Sequence, residues 1–304
     1  MPDWDVSKVT DMQSLFSGYS SFNGNITAWD VSSVTDMSNM FQSANAFTQD
    51  LSDWDTSSLT RLYRIFYTSN ANPKVANWDV SRVTSMSEVF SHAYSFNQDI
   101  SSWDVSSVTT MYELFYNADK YNQDLNGWDT SRVKNMQSIF RSADAFNGAI
   151  DGWDVSSVTN MAYMFTGAAA FNQPLGNWDV SGVTDMERMF AKTAFYQPIG
   201  SWVVLSFTSM NDLFDENYVN GCEDIDLCLR LHAKGYWHYV AHQSEIAHHK
   251  GSSPGRKDHN DQNLIALKAT HATYIKTQLL RRDAHPVSYT HLRAHETEAD
   301  LVCR

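Results

Sequence analysis

The stretch Trp29–Asp53, WDVSSVTDMSNMFQSANAFTQDLSD, recurs in recognisable form along most of the 304-residue chain. Tryptophan returns at Trp4, Trp29, Trp54, Trp78, Trp103, Trp128, Trp153, Trp178 and Trp202, each 24 or 25 residues after the last. Self-similarity at such a period is the signature of a solenoid, in which each unit buries its apolar face only against its neighbours. The rule holds to about Phe214 and fails beyond it.

Each unit reads as fixed columns. Asp follows Trp in the first eight repeats (Asp5 through Asp179), and Ser stands two residues further on, from Ser7 to Ser181. Apolar residues then fall at spacings such as Val34, Met37, Met40, Phe41 and Ala44, which suit one face of a short helix. The Ser column stands where an N-cap is expected. The segment Phe-Asn-Gln-x-Leu/Ile, as at Phe96–Ile100, suits a short strand bounded by turns. The predicted fold is therefore an α/β repeat, a leucine-rich-repeat-like solenoid of about nine coils with one short strand and one short helix each. Strands stacked about 4.8 Å apart would make a rod of roughly 40 Å.

Trp, Phe and Met in matching columns are read as stacked core ladders rather than a ligand pocket. One Asp per coil suggests calcium in some repeat proteins. Beside Ser it is more simply an acceptor for turn N–H groups. The Asn column (Asn23, Asn97, Asn122, Asn147, Asn172) is read as a polar ladder. No metal or other cofactor is expected for the repeats.

Charge separates the chain into two parts. Residues 1–214 hold 11 Lys+Arg against 23 Asp+Glu, which argues against binding a phosphate backbone. His92 is the one histidine of that region; the other ten, and all three cysteines, follow Phe214. Cys222 and Cys228 form no CxxC pair, and His238 with His242 lacks the acid of a zinc-protease motif. No apolar run reaches the ~18 residues of a membrane span, and no signal peptide precedes Trp4. The opening MPDWDVS starts in mid-repeat, so a fragment lacking its N-terminus is expected.

The pattern WD(V/T)SxVTxMxxMFxxAxxFNQ(D/P)(L/I) over residues 4–214 resembles the BspA-family leucine-rich-repeat surface proteins. That resemblance implies an exported or cell-surface, non-enzymatic array for adhesion or protein binding. Two departures stand out: Asn72-Pro73-Lys74-Val75 replaces Phe-Asn-Gln-x-Leu, and Trp202 lacks its Asp. Pro73 is expected to bend the stack locally.

After Phe214 the chain resembles the C-terminal part of a family 2 glycosyltransferase catalytic domain of GT-A fold, over roughly residues 214–280. The matching residues are Phe214-Asp215-Glu216, Gly221, Glu223-Asp224-x-Asp226-Leu227-Cys228-Leu229-Arg230, Gly235-Tyr236 and His248. The resemblance implies Glu223 or Asp224 as general base, with Asp226 and Arg230 as substrate contacts. It would place His248 near a sugar-nucleotide diphosphate or its Mn or Mg ion. The nucleotide-binding half and its Asp-x-Asp motif are not found upstream, so no transferase activity is expected of residues 215–286, an incomplete α/β fragment. Residues 287–304, VSYTHLRAHETEADLVCR, resemble the conceptual translation of a sequencing adapter and are excluded from fold reasoning.

Three functions follow: a fragment of a surface binding array, a true fusion with a glycosyltransferase, or a spacer rod. Binding and spacer readings separate on whether one exposed face varies between coils and carries aromatics.

Overall fold

The computed structural model describes residues 4–195 together with Gln197, Ile199, Trp202, Val203 and Leu213. One compact unit comprises Met1–Gln197 and Trp202–Phe214; the other comprises Pro198–Ser201 and Asp215–Arg304 and holds almost no described residue. The first unit is a parallel stack of coils, each running from one tryptophan to the next.

Its backbone bonding alternates. In the coil that begins at Trp29, the N–H groups of Met37, Asn39, Phe41 and Ser43 donate to the carbonyls of Arg61, Tyr63, Ile65 and Tyr67 in the next coil, at 2.8–3.1 Å. The intervening Met40, Gln42 and Ala44 donate to Met37, Asn39 and Phe41 of their own coil, at 3.0–3.1 Å. The segment therefore belongs half to a ladder and half to a run of tight turns. The third residue of alternate turns takes positive φ, as at Asn39 and Ser43, both at 57°. Equivalent residues elsewhere include Arg64, His92, Tyr163 and Lys192, so L-residues occupy a region that disfavours them by about 1–2 kcal/mol each. The flanking turn and ladder bonds hold them there.

These facts correct the expected α/β coil. Among the described residues there is no helix, and strand pairing is reduced to isolated parallel bridges such as Asp11↔Asp36, Asp36↔Arg61 and Thr110↔Asn135. Turns that bond residue i to i+3 place apolar side chains at helix-like spacings, which is why the columns imitate a helix. The Ser column caps nothing. Instead the preceding Asp carboxylate accepts from it: Asp30 Oδ1 takes the Ser32 N–H at 3.1 Å and its hydroxyl at 2.6 Å. Asp55, Asp104, Asp129 and Asp179 take the backbone N–H of Ser57, Ser106, Ser131 and Ser181 in the same way. The Asp column is thus a column of turn acceptors, as the sequence implies.

In the Phe-Asn-Gln segment, side chains replace most of the expected strand ladder. Asn97 Oδ1 accepts the Asn122 N–H at 3.0 Å, and Asn122 Oδ1 accepts that of Asn147 at 2.8 Å. Gln123 Nε2 adds bonds to the Asn97 carbonyl and side chain. The Asn column is the polar ladder that the sequence implies.

Three aromatic columns fill the interior. Trp128, Trp153 and Trp178 stack at 6.2 and 6.4 Å with rings 2° apart, and each indole N–H donates back to a carbonyl 28 residues earlier (Trp153 to Leu125, 2.8 Å). Phe90, Phe115, Phe140 and Phe165 form a second column at 5.4–5.8 Å. A third, through Phe96, Tyr121, Phe146 and Phe171, sits about 4 Å from the second within each coil. The coil bearing Pro73 passes without the expected bend. Lys74 still bridges Asp50, Ala71 is buried where other coils have Phe, and the flanking rings stay nearly parallel (Trp54–Trp78 5°, Phe66–Phe90 9°). Trp202, although it lacks the Asp, continues the tryptophan column at 6.5 Å from Trp178.

Tyr121 stands in the third aromatic column with its hydroxyl buried and without a hydrogen-bond partner. Tyr121→Phe should therefore raise stability by about 1 kcal/mol. Chemical denaturation measures it, and an unchanged or lower value would show that the hydroxyl is satisfied.

The Asp turns make a second prediction. Hydrogen bonds from Ser32, Ser57 and Ser106 hold Asp30, Asp55 and Asp104 below the usual carboxylate range, and Ser52 with Lys74 brings Asp50 to about 2. A depressed folded value contributes stability above the unfolded pKa of about 4, and that stability is lost as pH falls through the folded values. Thermal melts should fall progressively between about pH 4 and pH 2. Asp30→Asn, Asp55→Asn and Asp104→Asn together should flatten that slope; a melt insensitive to acid would contradict it.

Candidate functional site

Inward columns repeat, whereas the outward positions of the turn segment change from coil to coil. The position after the first turn methionine or leucine is Gln13, Ser38, Tyr63, Ser87, Tyr112, Gln137, Ala162 and Glu187 in successive coils. The position following the phenylalanine is Ser17, Gln42, Tyr67, Ser91, Tyr116, Arg141, Thr166 and Ala191. Between the coils starting at Trp54 and Trp178 this face carries Tyr63, Tyr67, Tyr94, Tyr112, Tyr116 and Tyr163. Tyr63 and Tyr94 are exposed, and the other four are half-buried.

Two arginines lie on these rings. The Arg64 guanidinium is 4.9 Å from the Tyr63 ring centre and 4.7 Å from that of Tyr67. Arg141 is 5.4 Å from Tyr116 and 5.1 Å from Tyr163. Arg64 also pairs with Glu88 of the next coil (Nη2 at 2.6 Å, Nε at 2.7 Å), and Glu88 accepts the Tyr63 hydroxyl at 3.1 Å. Glu88 is buried, and these two partners meet its carboxylate. Tyr163 donates its hydroxyl to Glu187. Burial and Glu88 raise the Tyr63 phenol, while the bond to Glu113 and burial push Tyr112 up to about 12. These phenols are therefore protonated donors at neutral pH.

His92 sits at the centre of the face. The rings of Tyr67, Tyr94 and Tyr116 stand edge-on to its imidazole at 5.5, 6.0 and 4.7 Å, and the Ser91 hydroxyl lies 3.1 Å from Nδ1. An open hollow of about 390 Å³ adjoins Tyr63, with Ser38, Thr60, Leu62, Thr84 and Ser87 among its lining residues. Small-molecule pockets are enclosed, and this hollow is open.

Among the described residues no group of three or more His, Cys, Asp or Glu side chains could hold a metal ion, and no helix is long and apolar enough to cross a membrane. Glu223, Asp224, Asp226, Arg230 and His248 lie outside the described residues. The tyrosine face is not among the sites predicted from sequence. Its signal was present in the outward columns, where Tyr or Arg alternates with Ser, Gln and Ala.

The family described as "Mycoplasma protein of unknown function, DUF285" matches residues 1–72, 68–147 and 124–221. That result agrees with the BspA-like repeat pattern and gives the glycosyltransferase resemblance no support. No curated protein and no solved structure matches the chain.

Burial is the largest influence on His92 and lowers its pKa below the ordinary value; Glu113, Glu88 and Asp119 oppose it. By NMR titration the imidazole should stay neutral to below pH 6.5. Glu113→Gln should lower its pKa further, and a value above that of free histidine would contradict this packing.

Proposed function

Since the chain belongs to the DUF285 family across its repeats, we propose that these repeats are a non-enzymatic cell-surface array whose tyrosine-rich face binds a protein, in adhesion or a related contact. One observation carries the reading: aromatic variation is concentrated on the outward face of neighbouring coils, while the interior repeats column by column. A spacer has no use for Tyr67, Tyr94 and Tyr116 standing together around His92. Tyrosine and arginine are the residues that dominate protein interfaces, because they present rigid, amphipathic area with few rotamers to freeze. The acidic balance of residues 1–214 speaks against nucleic acid as partner. Cell-surface placement rests on the repeat pattern's likeness to BspA-family proteins.

The test compares the full chain with the double variant Tyr63→Ser/Tyr94→Ser on an array of immobilised purified proteins. Tyr19→Ser, an exposed tyrosine outside the face, is the control. A protein held by the native chain and the control, but at least about tenfold more weakly by the double variant, is the expected result. Equal retention by all three, or retention of nothing, would leave the repeats as a spacer.

A further inference from the structure

The two ring-clamped arginines differ in one respect. Each lies against a pair of tyrosines, yet only Arg64 has a carboxylate. That carboxylate comes from Glu88, which occupies the same outward column one coil further along. The same step from Arg141 leads to Thr166, whose hydroxyl donates to the Arg188 carbonyl at 2.5 Å. Backbone bonds from Asn117 to Arg141 (2.8 Å) and from Ser142 to Thr166 (2.7 Å) fix this register. Where Glu88 stands beside Arg64, a short side chain and the neighbouring Gly167 therefore stand beside Arg141. Arg141 has no ion pair among the described residues. Tyr163, one of its two rings, already gives its hydroxyl to Glu187, so that acid is engaged. One coil beyond Thr166 and Gly167, Lys192 is exposed and adds positive charge.

Resting on the protein-binding reading above, we propose that Arg141, clamped between Tyr116 and Tyr163, is where an Asp or Glu carboxylate of the protein partner docks on this face. The Arg64–Glu88 pair is the internal template for the contact. Rings on both sides hold the guanidinium in one plane, so its forked N–H donors are aligned before the partner arrives, and a planar carboxylate can take two of them at once. Prior alignment removes much of the ordering cost that weakens exposed ion pairs. The net charge of −13 makes the site selective, because diffuse attraction for an acidic partner is absent and any binding requires a local cause.

Fluorescence anisotropy of a labelled oligoglutamate peptide with the full chain, at physiological ionic strength, tests the proposal. Saturable binding is expected, weakened at least about tenfold by Arg141→Gln. Arg141→Lys keeps the charge but loses the planar fork, and should lose at least about fivefold. Arg61→Gln, an exposed arginine three coils away, should bind like the native chain. No saturable binding by the native chain, or full binding by Arg141→Lys, would overturn the inference. So would inorganic phosphate binding at Arg141 where the peptide does not. A protein retained through Tyr63 and Tyr94 with no peptide binding would overturn the carboxylate site alone. Arg141-dependent peptide binding with no protein retained would support the site and remove the proposed function.

Discussion

Everything in the stack depends on the alternation of backbone donors. One N–H reaches across to the next coil, and the next turns back three residues within its own. A helix would spend every donor internally and a strand would send them all sideways; this segment divides them. The division requires positive φ at regular places, which is why residues as different as Arg64, Glu88, Asn117 and Tyr163 share one unusual conformation. Interior packing follows from the same alternation, since it sets rings such as Trp78 and Trp103, or Phe90 and Phe115, above one another at 5.4–6.5 Å.

Stacking also separates two tasks. Side chains facing inward are constrained by the ring above and the ring below, so Phe115 and Phe140 lie within 1° of parallel. Outward side chains meet no such constraint and can differ in each coil. Arg64, Glu88 and Tyr63 form one cluster across a single step of the stack, and His92 with its three tyrosines forms another across two steps. A face built this way is composed laterally, from residues about 25 positions apart in sequence.

Much of this was legible in the sequence, though unevenly. The period, the buried Trp and Phe columns, the Asp turn acceptors and the Asn ladder can all be read from repetition, because each is a side chain meeting its own copy. The secondary structure cannot. Val34, Met37, Phe41 and Ala44 have spacings that a helix and a run of three-residue turns both satisfy, and among the described residues just Gly18 and Gly167 mark the positive-φ positions with Gly, most others carrying Ser, Asn, Arg or Glu. Of the candidate sites, those after Phe214 rested on a resemblance, and none lies among the described residues. The tyrosine face was concealed by the habit of reading columns for sameness. Tyr63 and Arg141 are conspicuous only as departures from their own columns.

The two 24-residue coils, which begin at Trp54 and Trp178, show where such an array can change length. In each the missing residue falls in the corner just past the alternating donors, between Ser69 and Ala71 and between Thr193 and Phe195, where the Ser69 or Thr193 hydroxyl accepts the backbone N–H two residues on. The segment from Leu62 to Ser69, where donors alternate, keeps its full count. Genetic slippage between copies that adds or deletes a whole unit would leave every donor facing an acceptor and simply resize the outer face. Slippage by one or two residues is tolerable in the first corner and ruinous in the second, so the architecture itself filters which rearrangements of its gene can persist.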